Sequence, residues 1–289
     1  MENQNYPDRY SRRQAIKFGA TALGLGAFAR AFPALADDII SKAKIVPVGE
    51  TVSAAKYKKA GPFRIGFSNG FSGNTWRTEC LYALKKEAGQ HKEISDLIIV
   101  DGQGDIAKQV NDIENLVSQN VDAILCIPNS GSAVAPALRD ATKQGVVTVP
   151  FNLPIDGEAW TAYTGTDPQK KGFELGKWLR GALGDTGKIV ALGGLPGNSY
   201  TAAAWAGAQK ANNPKFNIGL LSEPTWESVV ALRIALKLLN GEDVPKRQII
   251  EPQLITSDNY KKYLRADLPD GVFVDTDLTD GELKALFKS

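Results

Sequence analysis

The stretch DLIIVDGQGDIAKQVNDIENLVSQNVDAILCIPN, residues 96–129, decides the fold class. Asp96-Leu97-Ile98-Ile99-Val100 is a short β-branched run with polar borders, the signature of a strand. Ile106, Val110, Ile113 and Val117 come next at spacings of four, three and four, which puts all of them on one face of a helix. Asp122-Ala123-Ile124-Leu125-Cys126-Ile127 is nearly all apolar, as a strand covered by helices on both faces should be. A strand, a helix with a single apolar stripe and a second buried strand make one repeating unit. Such units assemble into a parallel sheet under helices, an α/β fold.

The same alternation extends in both directions. Phe63 to Ser68 reads as the first strand, leading to a polar loop and a helix from Thr75 to Gly89. Beyond Pro128 come a helix to Gln144, a strand from Val146 to Phe151, a loop with Pro154 and a strand near Trp160 to Thr164. Asp167-Pro168 sets an N-cap before a proline in the first helical turn, and that helix runs to Leu183. Lys188 to Leu192 reads as a strand, Gly193 to Gly197 as a glycine-rich turn into a helix, and Asn217 to Leu221 as a further strand. Pro224 to Leu239 is a helix closed by Asn240-Gly241. Residues 37–61 lack periodicity and read as a tether; the tail, residues 244–289, is rich in Pro and Asp and reads as a surface wrap.

At the N-terminus, Ser11-Arg12-Arg13-Gln14-Ala15-Ile16-Lys17 leads into a Gly- and Ala-rich core, Phe18 to Ala29, and a small-x-small site at Ala34-Leu35-Ala36. Residues 1–36 therefore read as an export signal with a twin-arginine address. The core is shorter than the roughly 20 apolar residues a spanning helix needs. The chain is expected outside the cytoplasm, in the periplasm or cell envelope. The net charge of +2 over 289 residues is nearly balanced and its cations are dispersed, so no nucleic-acid partner is indicated. With one histidine and two cysteines, a multi-His metal site and a disulfide framework lack parts, and His91, in the polar connection Gln90 to Glu93, is no plausible partner for either cysteine. Gly193 to Gly197 lacks the Lys-Ser/Thr ending of a P-loop and the G-x-G-x-x-G spacing, and no Ser sits in G-x-S-x-G. No cofactor is expected.

In open parallel sheets the ligand crevice lies beyond the carboxyl ends of the strands. Those positions carry Asn69, Phe71, Asn74, Trp76 and Arg77 after the first strand, and Asp101 and Gln103 after the second. Asn129 and Ser130 stand after the third strand, with Phe151 and Asn152 at the fourth. Amides and a carboxylate can each hold hydroxyls, a guanidinium is a rigid donor fork, and aromatic rings cover the C–H face of a sugar. Taken singly, each has a structural role available: Asn74 and Asp105 as helix caps, Phe71, Trp76 and Phe151 as core aromatics. Convergence at four successive strand ends favours a site for a neutral polyhydroxylated ligand.

Several segments resemble the ribose-type periplasmic sugar-binding proteins of ABC transporters. They are Asp101-Gly102-Gln103 with Asp105, Ala107 to Val110, Asp112 to Leu116, and Val121 to Leu125 running into Pro128-Asn129. Thr164 to Asp167 with Gly172, Gly194 to Ser199, and Ile255 to Asn259 fit the same pattern. The resemblance implies a two-lobed type I periplasmic-binding-protein fold with parallel sheets, closing on a small sugar and passing it to a membrane permease. It implies that Asn69, Phe71, Asn74, Trp76, Asp101, Asn129 and Asn152 line the cleft. The first lobe is expected at 62–165 plus 222–243, the second at 166–221, and the tail across both. The chain departs from the family in two ways. Ala202 and Ala204 stand where many relatives have arginine, and Lys210 leads almost at once into Asn217 to Leu221, so the second lobe reads as truncated. Two other readings are an interaction protein that no longer transports, and an exported enzyme using Asp101 as acid or base. A cytoplasmic repressor of this fold would need a leading helix-turn-helix, which the chain lacks.

Overall fold

A computed structural model of the chain describes residues 36–183 and 219–287, apart from 257–258, 260, 262, 264, 266 and 269–271. The chain opens with α1 (Ala36–Lys42) and β1 (Ile45–Val52), then enters the repeating body. The body runs β2 (Phe63–Asn69), α2 (Thr75–Ala88), β3 (Ile94–Asp101), α3 (Ile106–Ser118), β4 (Ala123–Ile127), α4 (Gly131–Lys143) and β5 (Val147–Pro150). After it come β6 (Tyr163–Thr166), α5 (Pro168–Leu183), β7 (Gly219–Leu221), α6 (Glu227–Asn240), β8 (Val244–Ile250), β9 (Leu254–Thr256) and α7 (Asp280–Leu286).

The four strands of the body form a parallel sheet in the order β3-β2-β4-β5. Side-chain alternation sorts β4 cleanly. Ala123, Leu125 and Ile127 join a core with Leu84 of α2 and Leu232 of α6, whereas Ile124 and Cys126 join Ile113, Leu116 and Leu138 from α3 and α4. Every residue of β4 is buried, as its apolar run requires. Gly66 lets α3 approach β2, since a Cβ there would lie 3.0 Å from Leu116. Truncating Leu125, fully buried between sheet and helices, removes its packing and leaves a cavity. Leu125→Ala is expected to cost about 3 kcal/mol, read from urea denaturation. A loss below about 1 kcal/mol would mean that this face is not packed.

Three helices start where the sequence sets a cap. Asn74 accepts from the Arg77 N–H at 2.8 Å, Asp105 from the Lys108 N–H at 3.0 Å, and Ser130 from the Ala133 N–H at 3.4 Å. Asp167 accepts from the Lys170 N–H at 3.0 Å in the first turn of α5.

A second sheet corrects two expectations. Its order is β1-β8-β6, with β8 antiparallel to β1 and parallel to β6. Residues 37–61 are therefore not an irregular tether: they hold α1 and β1, with Val52 opposite Val244 and Ile45 opposite Ile250. The segment after Val244 does not begin as a surface wrap, since β8 is the central strand of this sheet. Both strands hide from a pattern search for physical reasons. β1 is a largely exposed edge, so it shows no apolar alternation. β8 carries Lys246, whose ammonium is satisfied by the carbonyls of Glu158 and Trp160 at 2.9 and 2.6 Å and lies 4.4 Å over the Trp160 ring. The strand expected near Trp160 begins instead at Tyr163.

The export signal, the strand at Lys188 to Leu192, the turn at Gly193 to Gly197 and most of the shortened second lobe fall outside the described residues. Among the described residues, no helix is long and apolar enough to cross a membrane.

Candidate functional site

Parallel pairing aligns the strand ends at one rim: Asn69 is opposite Asp101 on one side and Ile127 on the other. Gly70 is necessary to this closeness, since a Cβ there would sit 2.7 Å from the Asn129 backbone nitrogen. The Asn129 amide N–H donates to Gln109 at 2.7 Å, and its side chain donates to the Gly104 carbonyl at 2.6 Å. The loops after β2, β3 and β4 are thereby tied into one surface.

Arg77, from the first turn of α2, is the charge at its centre. Its guanidinium is buried, donates to Asn69 Oδ1 and lies 4.0 Å from the Phe71 ring centre. Burial lowers its pKa to about 10, with Asp101 among the groups that partly restore it. Asn69 also donates to Ser72 at 3.2 Å, which occupies the amide on both sides. Asp101 accepts from the Gln103 N–H at 2.8 Å, and Gln103 itself is exposed with φ of 56°.

At the far end of the rim, Trp76 is buried and its Nε1–H donates to the Glu223 carbonyl at 3.2 Å. Glu223 Oε1 accepts from Asn152 at 3.0 Å and from the Thr166 hydroxyl at 3.3 Å, and its Oε2 pairs with the buried Lys171. Asn152 also donates to Glu227 at 2.9 Å. Glu227 is fully buried, and burial, then the neighbouring Glu223, hold its pKa well above the usual carboxylate range against the pull of Lys171.

The expected residues thus divide. Asn69, Phe71, Arg77, Asp101 and Asn129 meet at one rim, and Trp76 and Asn152 join through Glu223. Asn74 and Ser130 cap helices at the same rim, and Ser130 shares a hydrogen bond with Ser132 at 3.1 Å. Phe151 is withdrawn into the core, stacked on Phe67 with ring centres 6.0 Å apart. Glu223, Glu227 and Lys171 enter this cluster without having been singled out by the strand-end rule. A signal existed for Glu227, a carboxylate opening the otherwise apolar run Val229 to Leu232 of α6.

Much of the hydrogen-bonding capacity is used within the protein. Asp101 Oδ2, Asn129 Oδ1 and Asn152 Oδ1 accept from no described residue, and Arg77 has N–H groups beyond the one that Asn69 takes. These groups lie at the rim that carries the Phe71 ring, whereas Trp76 is packed into the core. Among the described residues, no group of three His, Cys, Asp or Glu side chains is placed to hold a metal ion.

Comparison with known proteins gives a consistent picture. The chain is 28% identical over 179 residues to the ribose import binding protein RbsB of Bacillus subtilis, covering 62% of this chain and 58% of that protein. It is 25% identical over 118 residues to the D-xylose-binding periplasmic protein of Haemophilus influenzae, covering 41% and 35%. The chain spans about half the length of the curated relatives it matches. A solute-binding protein from Bacillus halodurans with bound myo-inositol superposes with a TM-score of 0.64 at 16% identity, covering 71% of this chain and 98% of that one. One from Actinobacillus succinogenes with bound D-allose gives 0.61 at 20%, covering 69% and 99%. At such identities these two show the fold. Residues 65–286 match the family model described as periplasmic binding protein domain, and the chain belongs to that family.

Proposed function

We propose that this chain is the solute-binding component of an ABC importer, binding a monosaccharide or related polyol between its lobes and delivering it to a membrane permease. The observation that carries the reading is the buried Arg77, stacked on Phe71, hydrogen-bonded to Asn69 and interacting electrostatically with Asp101, the last two at the ends of adjacent parallel strands. The names of the relatives set the chemistry to try first: ribose, xylose, myo-inositol and allose. Isothermal titration with these sugars and the polyol, read beside tryptophan fluorescence, is expected to show saturable binding of at least one. No heat and no fluorescence change with any of them would contradict the reading.

We further propose export by the twin-arginine route, on the pair Arg12-Arg13 ahead of the short apolar core. Replacing both arginines with lysine is expected to leave the uncleaved precursor in the cytoplasm, seen by fractionation. Unchanged export of that variant would point to the general secretory route.

A further inference from the structure

Asn152 lies just past β5 with φ of 66°, a left-handed conformation that asparagine tolerates better than most residues. Its backbone is pinned, with its N–H donating to the Thr164 carbonyl at 3.2 Å and its carbonyl accepting from the Tyr163 hydroxyl at 3.3 Å. Both protons of its side-chain nitrogen go to carboxylates, Glu223 Oε1 at 3.0 Å and Glu227 Oε2 at 2.9 Å. An amide nitrogen has two protons and accepts nothing, so the side chain keeps a single open function, the acceptor Oδ1. The flipped amide would set that oxygen against Glu223 Oε1, an acceptor on the carboxylate that pairs with Lys171.

Glu227 sits at the back of this arrangement. It is fully buried, and its Oε1 has no hydrogen-bond partner among the described residues. The titratable groups around it are Glu223 ahead of α6, Lys171 from α5, Cys80 from α2 and Tyr163 from β6. Burial and Glu223 favour its neutral acid, which still accepts from Asn152 through Oε2.

We propose that Glu227 is a positioning residue. With Glu223 it fixes the Asn152 nitrogen inward, so that this end of the cleft presents only an acceptor and takes a hydroxyl or amine of the ligand as donor. An ether or carbonyl oxygen at that point is rejected, because two acceptors would face each other with no proton between them. The ligand half of this inference rests on the sugar-binding reading; the amide orientation does not.

The test therefore begins without ligand. In the ¹⁵N-labelled protein, the Asn152 side-chain protons are expected to exchange at least about tenfold more slowly than those of the exposed Asn74. Glu227→Gln is expected to preserve that protection, since glutamine offers Asn152 a carbonyl oxygen and is neutral like the acid. Glu227→Leu is expected to abolish it and, with D-ribose as probe, to weaken binding by about tenfold, while Glu227→Gln stays within about threefold of wild type. Asn152 protons that exchange like those of Asn74 in the wild type would overturn the proposal. So would a folded Glu227→Leu protein with unchanged protection. Protected protons in a wild type that ignores D-ribose would uphold the positioning role and count against ribose as the ligand.

Discussion

Arg77→Ala is expected to weaken binding of whichever sugar or polyol the protein takes by on the order of a hundredfold, about 3 kcal/mol. Removing the side chain withdraws the guanidinium from the cleft, strips the Phe71 ring of its cation and leaves Asn69 Oδ1 without its donor. The buried oxygen alone is costly to leave unmet. Arg77→Lys separates charge from shape, because lysine restores the positive charge but lacks the planar fork that spans Asn69 and lies on Phe71. Most of the loss is expected to remain in that variant. A lysine protein binding as tightly as wild type would mean that charge alone matters and that the stacked fork has no part in recognition. Circular dichroism and thermal melting of both variants separate lost binding from lost fold.

The second large effect is a decline in stability as pH rises through neutrality. Glu79 is fully buried, its Oε1 accepting from the Phe273 N–H at 2.9 Å, and burial raises its pKa to about 7. Asp277 is also buried, and burial raises its pKa to about 6 against the pull of Lys86. Glu227 is shifted in the same direction. A carboxyl whose pKa is higher folded than unfolded holds its proton more tightly when folded. The stability it contributes is full below its unfolded pKa and is lost as pH rises through the folded value. The unfolding free energy from urea titration is therefore expected to fall between about pH 5 and pH 8, by on the order of 2 kcal/mol. Glu79→Gln keeps an acceptor for Phe273 and removes one titration, so it is expected to flatten the profile. A midpoint constant over that range would contradict the burial of these carboxylates.

The body of the fold is legible in the sequence because burial there is simple. The single stripe of α3 and the continuous apolar run of β4 each have one reading under a covered parallel sheet. β1 and β8 are illegible for the opposite reason: one is an exposed edge, the other carries a lysine whose ammonium donates to carbonyls of a distant loop. The site divides in the same way. Asn69, Asp101, Asn129 and Asn152 can be found by looking at or just beyond the end of each strand. Glu223 reaches Asn152 across 71 residues and Lys171 across 52, separations at which no local pattern operates. Lys171 also stands beside Lys170, so the pair reads as a solvated face, yet Lys171 is 3% exposed. Phe151 shows the converse limit, since a strand-end aromatic can point either to the cleft or to the core, and this one stacks on Phe67.

A crystal structure of the protein grown with the sugar that binds in titration tests the central claim most directly. The sugar ring is expected against Phe71, with hydroxyls on the Arg77 guanidinium, on Asp101 Oδ2 and on Asn152 Oδ1. Sugar bound away from the ends of β2, β3 and β4, or a saturated crystal with that rim empty, would contradict it.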